Sequence, residues 1–179
     1  MAESFSNSLT RAAGSVNSAS GGAIGVTTNL ITGISTSGVS VGDLIDNANY
    51  IAGTKVATIG ASLVTADRDS TNSGAASSQI VKFLGMTTAF TSASSTKSIL
   101  IGGTFANNTD NQVALTVELY DASTSVGVAL ASEIPVPAGS SFVISDTGKT
   151  ILEPTDELRV YCNAANGIDA TLSILTGVS

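Results

Sequence analysis

The clearest pattern along the chain is a period of two in its C-terminal half. Val113, Leu115, Val117 and Leu119 fall on one side of an extended chain, and Ala114, Thr116, Glu118 and Tyr120 fall on the other. Leu158, Val160 and Cys162 alternate with Arg159 and Tyr161, and Ile168, Ala170, Leu172 and Ile174 close the series. Residues 99–105, residues 126–134, a strand carrying Phe142 and Ile144, and a short segment at 150–152 fill the intervals. Clusters of Asn, Asp, Ser, Gly and Pro at 107–111, 121–125, 135–139, 145–149, 153–156 and 163–167 punctuate them. The pattern predicts seven or eight short strands over 97–178, with a turn about every ten residues, which is the signature of an antiparallel sandwich. Its half-polar alternation excludes an all-parallel sheet.

Upstream the signal is weaker. Residues 26–31 read as a strand, and Val39 and Val41 alternate before a Gly42-Asp43 turn. Residues 55–59 and 62–65 read as a hairpin around Gly60-Ala61. Together these predict a small meander over 26–70, followed by a low-complexity linker at 71–78 and an apolar stretch at 79–90. Residues 1–25 are rich in Ser, Asn, Ala and Gly and read as an N-terminal arm. Within the arm, Phe5, Leu9 and Ala12 share one face of a short helix over 4–13 capped by Ser4, unless the segment is extended and ordered on a neighbour. Phe5 and Leu9 have no intrachain partner evident in sequence, and are the expected inter-subunit contacts. Tyr50, Phe83 and Phe90 are expected in ordinary core positions. The expected fold is all-β: an arm (1–25), a small β module (26–90) and an antiparallel β-sandwich of jelly-roll or Ig-like type (91–179).

Composition sharpens this. The chain has 179 residues, enough for a core without disulfide or metal staples. Aromatics are 4% and Trp is absent, so the core is built from Val, Ile, Leu and Ala. Charged residues are 12%, about half the usual share, which fits a chain that covers much of its surface with neighbours. The net charge is −7, and Arg11, Lys55, Arg68, Lys82, Lys97, Lys149 and Arg159 form no basic run. Nucleic acid and anionic membrane surfaces are therefore not expected partners. Residues 1–22 lack an apolar segment of signal-peptide type, and no stretch is long enough to span a membrane as a helix.

Candidate chemistry is sparse. His is absent, which removes the commonest general base and the Ser-His-Asp triad. Asp67 with Asp69, and Asp156 with Glu157, are the close carboxylate pairs, and both fall in predicted turns. Asn107, Asn108, Asp110 and Asn111 offer oxygens of the kind calcium takes, without EF-hand spacing, and read as an Asx-rich turn. Asn107-Asn108-Thr109 also matches a glycosylation sequon, and here too the turn is the expected reading. Cys162 is the only cysteine, is expected buried and inert, and has its nearest base, Arg159, on the opposite strand face. Gly14, Gly21, Gly22 and Gly25 lack the Gly-Lys-Ser/Thr of a phosphate loop. No catalytic residue, cofactor or metal is expected, and the chain is expected not to be an enzyme.

The segment TGISTSGVSVGDL at 32–44, followed by IAGTKVATIG at 51–60, resembles a repeat-type β module of phage structural and fibre proteins. The run IPVPAGSSF at 134–142, continuing to LEPTDEL at 152–158 and the final strand, is similar to small β-sandwich virion proteins of tailed phages, notably aquatic and cyanobacterial ones. The resemblance spans most of 28–177 and implies a particle component without catalysis, located in the virion and assembled in the host cytoplasm. The expected role is a capsid decoration or cement protein, a trimeric homo-oligomer seated on the major capsid protein. A neck or tail ring or tube subunit is the alternative, and a fibre-associated module the second.

Overall fold

The computed structural model describes residues 3–178, apart from the side chains of residues 146–148. Its elements are all strands: β1 (Ser4–Ala13), β2 (Ser15–Ile24), β3 (Leu30–Thr32), β4 (Leu44–Asp46), β5 (Val56–Ile59), β6 (Leu63–Ala66), β7 (Ala76–Gly85), β8 (Thr87–Thr91), β9 (Lys97–Asn107), β10 (Val113–Asp121), β11 (Val126–Val136), β12 (Ser141–Leu152), β13 (Glu157–Cys162) and β14 (Ile168–Val178). They form three antiparallel sheets, in the orders β1–β14–β9–β12, β11–β10–β13–β8 and β4–β7–β2–β3–β6–β5.

The chain divides into two compact units, with boundaries at Gly14/Ser15 and Met86/Thr87, where the sequence pattern places them at 25/26 and 90/91. The first unit holds β1 and β8–β14, that is, both four-stranded sheets. These sheets contribute to one core. Leu100, Phe105, Leu172 and Ile174 enter it from one sheet, and Leu115, Val117, Leu158, Val160 and Cys162 from the other. The alternation that predicts these positions is the alternation that buries them. Four antiparallel ladders nest in this unit: β1 with β14, β8 with β13, β9 with β12, and β10 with β11. The first strand thus pairs with the last, the second with the second to last, and so inward.

The second unit, Ser15–Met86, holds the six-stranded sheet and a core of its own around Phe83, Val81, Ile31, Val64, Ile24 and Tyr50. It interrupts the first unit between β1 and β8. Its first and last strands, β2 and β7, pair with each other from the register partners Ser15 and Gly85. The predicted hairpin at 55–65 is β5 and β6, closed by Gly60 N–H donating to the Leu63 carbonyl at 2.8 Å.

Several expectations are corrected. The arm expected at 1–25, whose first two residues lie outside the described ones, and the helix expected at 4–13 give way to strands: β1 lies within one sheet and β2 within another. The strand expected at 26–31 begins only at Leu30. The linker expected at 71–78 gives way to β7 at Ala76. Region 97–178 holds six strands rather than seven or eight, because 150–152 continues β12. The two strands that complete the unit, β1 and β8, come from upstream.

Candidate functional site

The sheet β1–β14–β9–β12 turns one face to the core, and its opposite face carries apolar side chains. Register fixes which residues share that outer face. Phe5 pairs with Leu175, Leu175 with Ile99, and Ile99 with Ile151, which draws one apolar row across all four strands. Phe5 is 77% exposed and Ile151 52%, while Leu175 and Ile99 are half-buried between them. Four residues along β1, Leu9 (73% exposed) heads a second row through Thr171, Thr104 and Val143. Between the rows lie Asn7, Ser173, Gly102 and Ser145, with Ser173 Oγ donating to Asn7 Oδ1 at 3.3 Å.

None of these twelve positions carries a charge. Charges lie around them: Arg11 and Asp169 beyond the Leu9 row, the Lys97–Glu153 ion pair at 2.9 Å beyond the Phe5 row, and Lys149 on the β12 edge, within the register shift between Ser145 and Thr150. The face thus sets one apolar row and the exposed Leu9 and Val143 on either side of a neutral polar stripe, and exposed large apolar side chains gathered on one face are a common feature of interaction surfaces. The structure therefore brings the two predicted contact residues, Phe5 and Leu9, onto one face. It adds Leu175, Ile99, Ile151 and Val143, which the sequence reading did not single out. Their signal was present: Ile99-Leu100-Ile101 and Ile174-Leu175 are apolar on consecutive residues, so both faces of those strands are apolar.

The reversal in β1 has a local cause. Its core-side positions are polar, and they hydrogen-bond rather than pack. Ser8 Oγ and Thr10 Oγ1 both donate to the Ala89 carbonyl of β8, at 2.8 and 3.3 Å. The apolar residues of β1 are left on the outside.

The other sheet of this unit carries a polar constellation on the side away from the core. Tyr161 is fully buried, and its hydroxyl donates to Glu118 Oε1 at 3.3 Å. Burial, and next the Glu118 carboxylate, push the phenol above its ordinary range. Arg159 Nε donates to Glu157 Oε2 at 2.7 Å, and its guanidinium lies over the Tyr120 ring, 3.3 Å from the centroid. These groups saturate one another and present no nucleophile beside a base.

The remaining candidates serve local structure. Asp156 is buried and accepts the Ala122 and Glu153 backbone N–H groups at 3.1 and 3.0 Å. Asp67 Oδ1 accepts the Lys55 N–H at 2.8 Å. Asn107 Oδ1 accepts both the N–H and the hydroxyl of Thr109, while its amide donates to the Asn111 and Val136 carbonyls. Cys162 is buried, as its alternation predicts, and burial raises its thiol. In the second unit, an open depression of ≈ 450 Å³ is lined by Ala23, Ile24, Leu30, Thr32, Ala76 and Ser77, among others, with no titratable side chain. No protein-family model, no curated protein and no solved structure matches the chain.

Proposed function

We propose that this chain is a non-catalytic subunit of a larger assembly, a structural protein of a tailed-phage virion that decorates and cements the capsid. The observation that carries this reading is the outer face headed by Phe5 and Leu9, whose four strands register twelve uncharged positions against one another. Burying a large apolar side chain is worth about 1.5–3 kcal/mol, so a face with several of them half or more exposed gains stability when a neighbour covers it. A homo-oligomer that also contacts the major capsid protein buries it.

The nesting of ladders supports the fold type. A long antiparallel hairpin, rolled so that first pairs with last and each inner pair follows, is a jelly roll of two Greek keys, an architecture used in viral capsid proteins. In this chain the roll is opened after its first strand to admit a second β unit. The low charge fraction supports assembly in the same sense, because few charges need desolvation when neighbours pack. Fold type alone does not choose among positions in a particle. The resemblance at 32–60 and 134–158 to phage structural proteins favours the virion.

The test is quantitative mass spectrometry of purified virions, together with light scattering of the isolated chain. A copy number comparable with the major capsid protein supports capsid decoration. A low copy number with a ring-sized oligomer moves the chain to the neck or tail. Absence from particles, with a monomer in solution, overturns the proposal. Truncating residues 1–22 is the wrong probe, since it deletes β1 and most of β2. Leu9→Lys leaves the fold in place and charges only the outer face.

A further inference from the structure

We propose that two copies of this chain pair edge to edge through β1, antiparallel, about a two-fold axis at Asn7. This deepens the assembly reading, on which it rests, by naming the partner as a second copy, and it puts a two-fold pair in place of the trimer expected from the sequence.

The starting point is the condition of the sheet edges. A strand at an edge presents unpaired N–H and C=O groups, and folded chains guard such edges with bulges, prolines, charges or brevity. Five of the six edges among the described residues are guarded. β4 and β5 are three and four residues long, and β8 is five. β11 is interrupted by two register shifts and carries Pro135. β12 carries a register shift between Ser145 and Thr150, and Lys149. β1 has its shift, between Thr10 and Ala13, and its one charge, Arg11, only at its end: the seven residues from Ser4 to Thr10 run in unbroken register against β14, with no charge and no proline, and the opposite edge has no strand beside it.

The sequence of that edge is self-complementary. In an antiparallel pair centred on Asn7, residue numbers in facing positions sum to fourteen. Phe5 then faces Leu9 of the second copy, and Ser6 faces Ser8. Ser4 faces Thr10, Asn7 faces Asn7, and Glu3 faces Arg11. Every pair matches in kind: apolar with apolar, hydroxyl with hydroxyl, amide with amide, and acid with base. Glu3 and Arg11 are both exposed, and neither has an ion-pair partner among the described residues. Shifting the register by one residue to either side sets Phe5 or Leu9 against a Ser or Thr and breaks the charge match. A two-fold axis requires a surface that complements itself, and β1 supplies one. Facing side chains in antiparallel strands lie on the same side of the sheet, so Phe5 and Leu9 of both copies gather on the outer face. The result is one continuous eight-stranded sheet in which the Phe5 row of each copy runs into the Leu9 row of the other, one on either side of the axis.

Charge exchange tests the pairing directly. Analytical ultracentrifugation of the full chain is expected to show a concentration-dependent dimer. Glu3→Arg and Arg11→Glu each set like charges opposite one another twice per dimer, and each is expected to weaken association about tenfold. The double variant E3R/R11E restores the match and returns association to that of the parent chain. As an independent readout, Asn7→Cys places two thiols at the axis, within disulfide reach, and gives a covalent dimer under mild oxidation. Ser6→Cys is the control, since its two copies lie diagonally apart and cross-link poorly. Three results would each overturn the pairing: a chain that stays monomeric at all concentrations, a double variant no better than the singles, or an Asn7→Cys variant that cross-links no faster than Ser6→Cys. The chain's abundance in virions is measured separately, so a failed β1 contact leaves the particle assignment standing.

Discussion

Leu172→Ala, Gly103→Ala and their combination test how the sheet β1–β14–β9–β12 is supported from its core side. Gly103 on β9 and Leu172 on β14 are register partners in the middle of the sheet. Both point to the core, and Leu172 is 1% exposed. A methyl group built on Gly103 would lie 2.7 Å from Leu172 Cδ2 and 3.3 Å from Phe105 Cε2, so the leucine occupies the space that a side chain at 103 would need. Leu172→Ala removes buried carbons and leaves a cavity, at a cost of about 3–4 kcal/mol. Gly103→Ala alone forces the leucine aside, at about 1–2 kcal/mol, partly offset by about 0.5 kcal/mol from the stiffer unfolded chain. In the double variant the new methyl enters the space the leucine has left. The clash disappears and part of the cavity fills, so the double costs about 3 kcal/mol rather than the sum, a coupling of about 1–2 kcal/mol. With two units in the chain, a single global unfolding curve is not a clean measure. Amide exchange at β9 and β14 under increasing urea reads the unit concerned. Additive costs would refute the reasoning, because they would mean that Leu172 does not fill the space above Gly103.

Other positions give equally direct tests. Asp156→Ala removes the acceptor of two backbone N–H groups and is expected to cost roughly 2–4 kcal/mol, with Asp156→Asn losing about half as much, measured by the same exchange experiment. Tyr50 is buried and donates to the Thr28 carbonyl at 3.3 Å; burial first, and the Asp69 charge second, push its phenol up to about 12. A raised folded pKa means stability complete below about pH 10 and lost as pH rises through 12, so Tyr50→Phe is expected to flatten that alkaline loss by roughly 2 kcal/mol in pH-dependent melts. Excising residues 15–86 and joining Gly14 to Thr87 by a two-residue Gly-Ser link is expected to leave a cooperatively melting β unit. The Gly14 N–H donates to Thr87 Oγ1 at 3.0 Å, so the ends already meet, and the unit keeps its own core. A product without dispersed amide signals would show that the core cannot form without the inserted unit.

Much of the first unit's core was legible in the sequence, for a simple reason. A strand with one face in a core must alternate, and Val113–Val117, Leu158–Cys162 and Ile168–Ile174 do so strictly. Phe5 and Leu9 stand out in the sequence because large apolar residues amid Ser and Asn have nothing local to bury them, and the structure leaves both exposed. Their secondary structure was misread for the same cause. Spaced four apart, they imitate a helix face, and the polar inward positions Ser6, Ser8 and Thr10 invert the pattern that a strand normally shows.

By itself, then, the chain determined that it is all-β, that its core is aliphatic, and that it lacks the histidine most enzymatic chemistry uses. Those are properties of residue types and their spacing. Only tertiary structure decided that the first strand closes against the last, that a second unit interrupts the first after Gly14, and that Phe5, Leu175, Ile99 and Ile151 form one row. Pairing of β1 with β14 joins segments at opposite ends of the chain. Nothing within a local window records that choice, because it is fixed by which edges and faces remain unsatisfied once the nearer strands have paired.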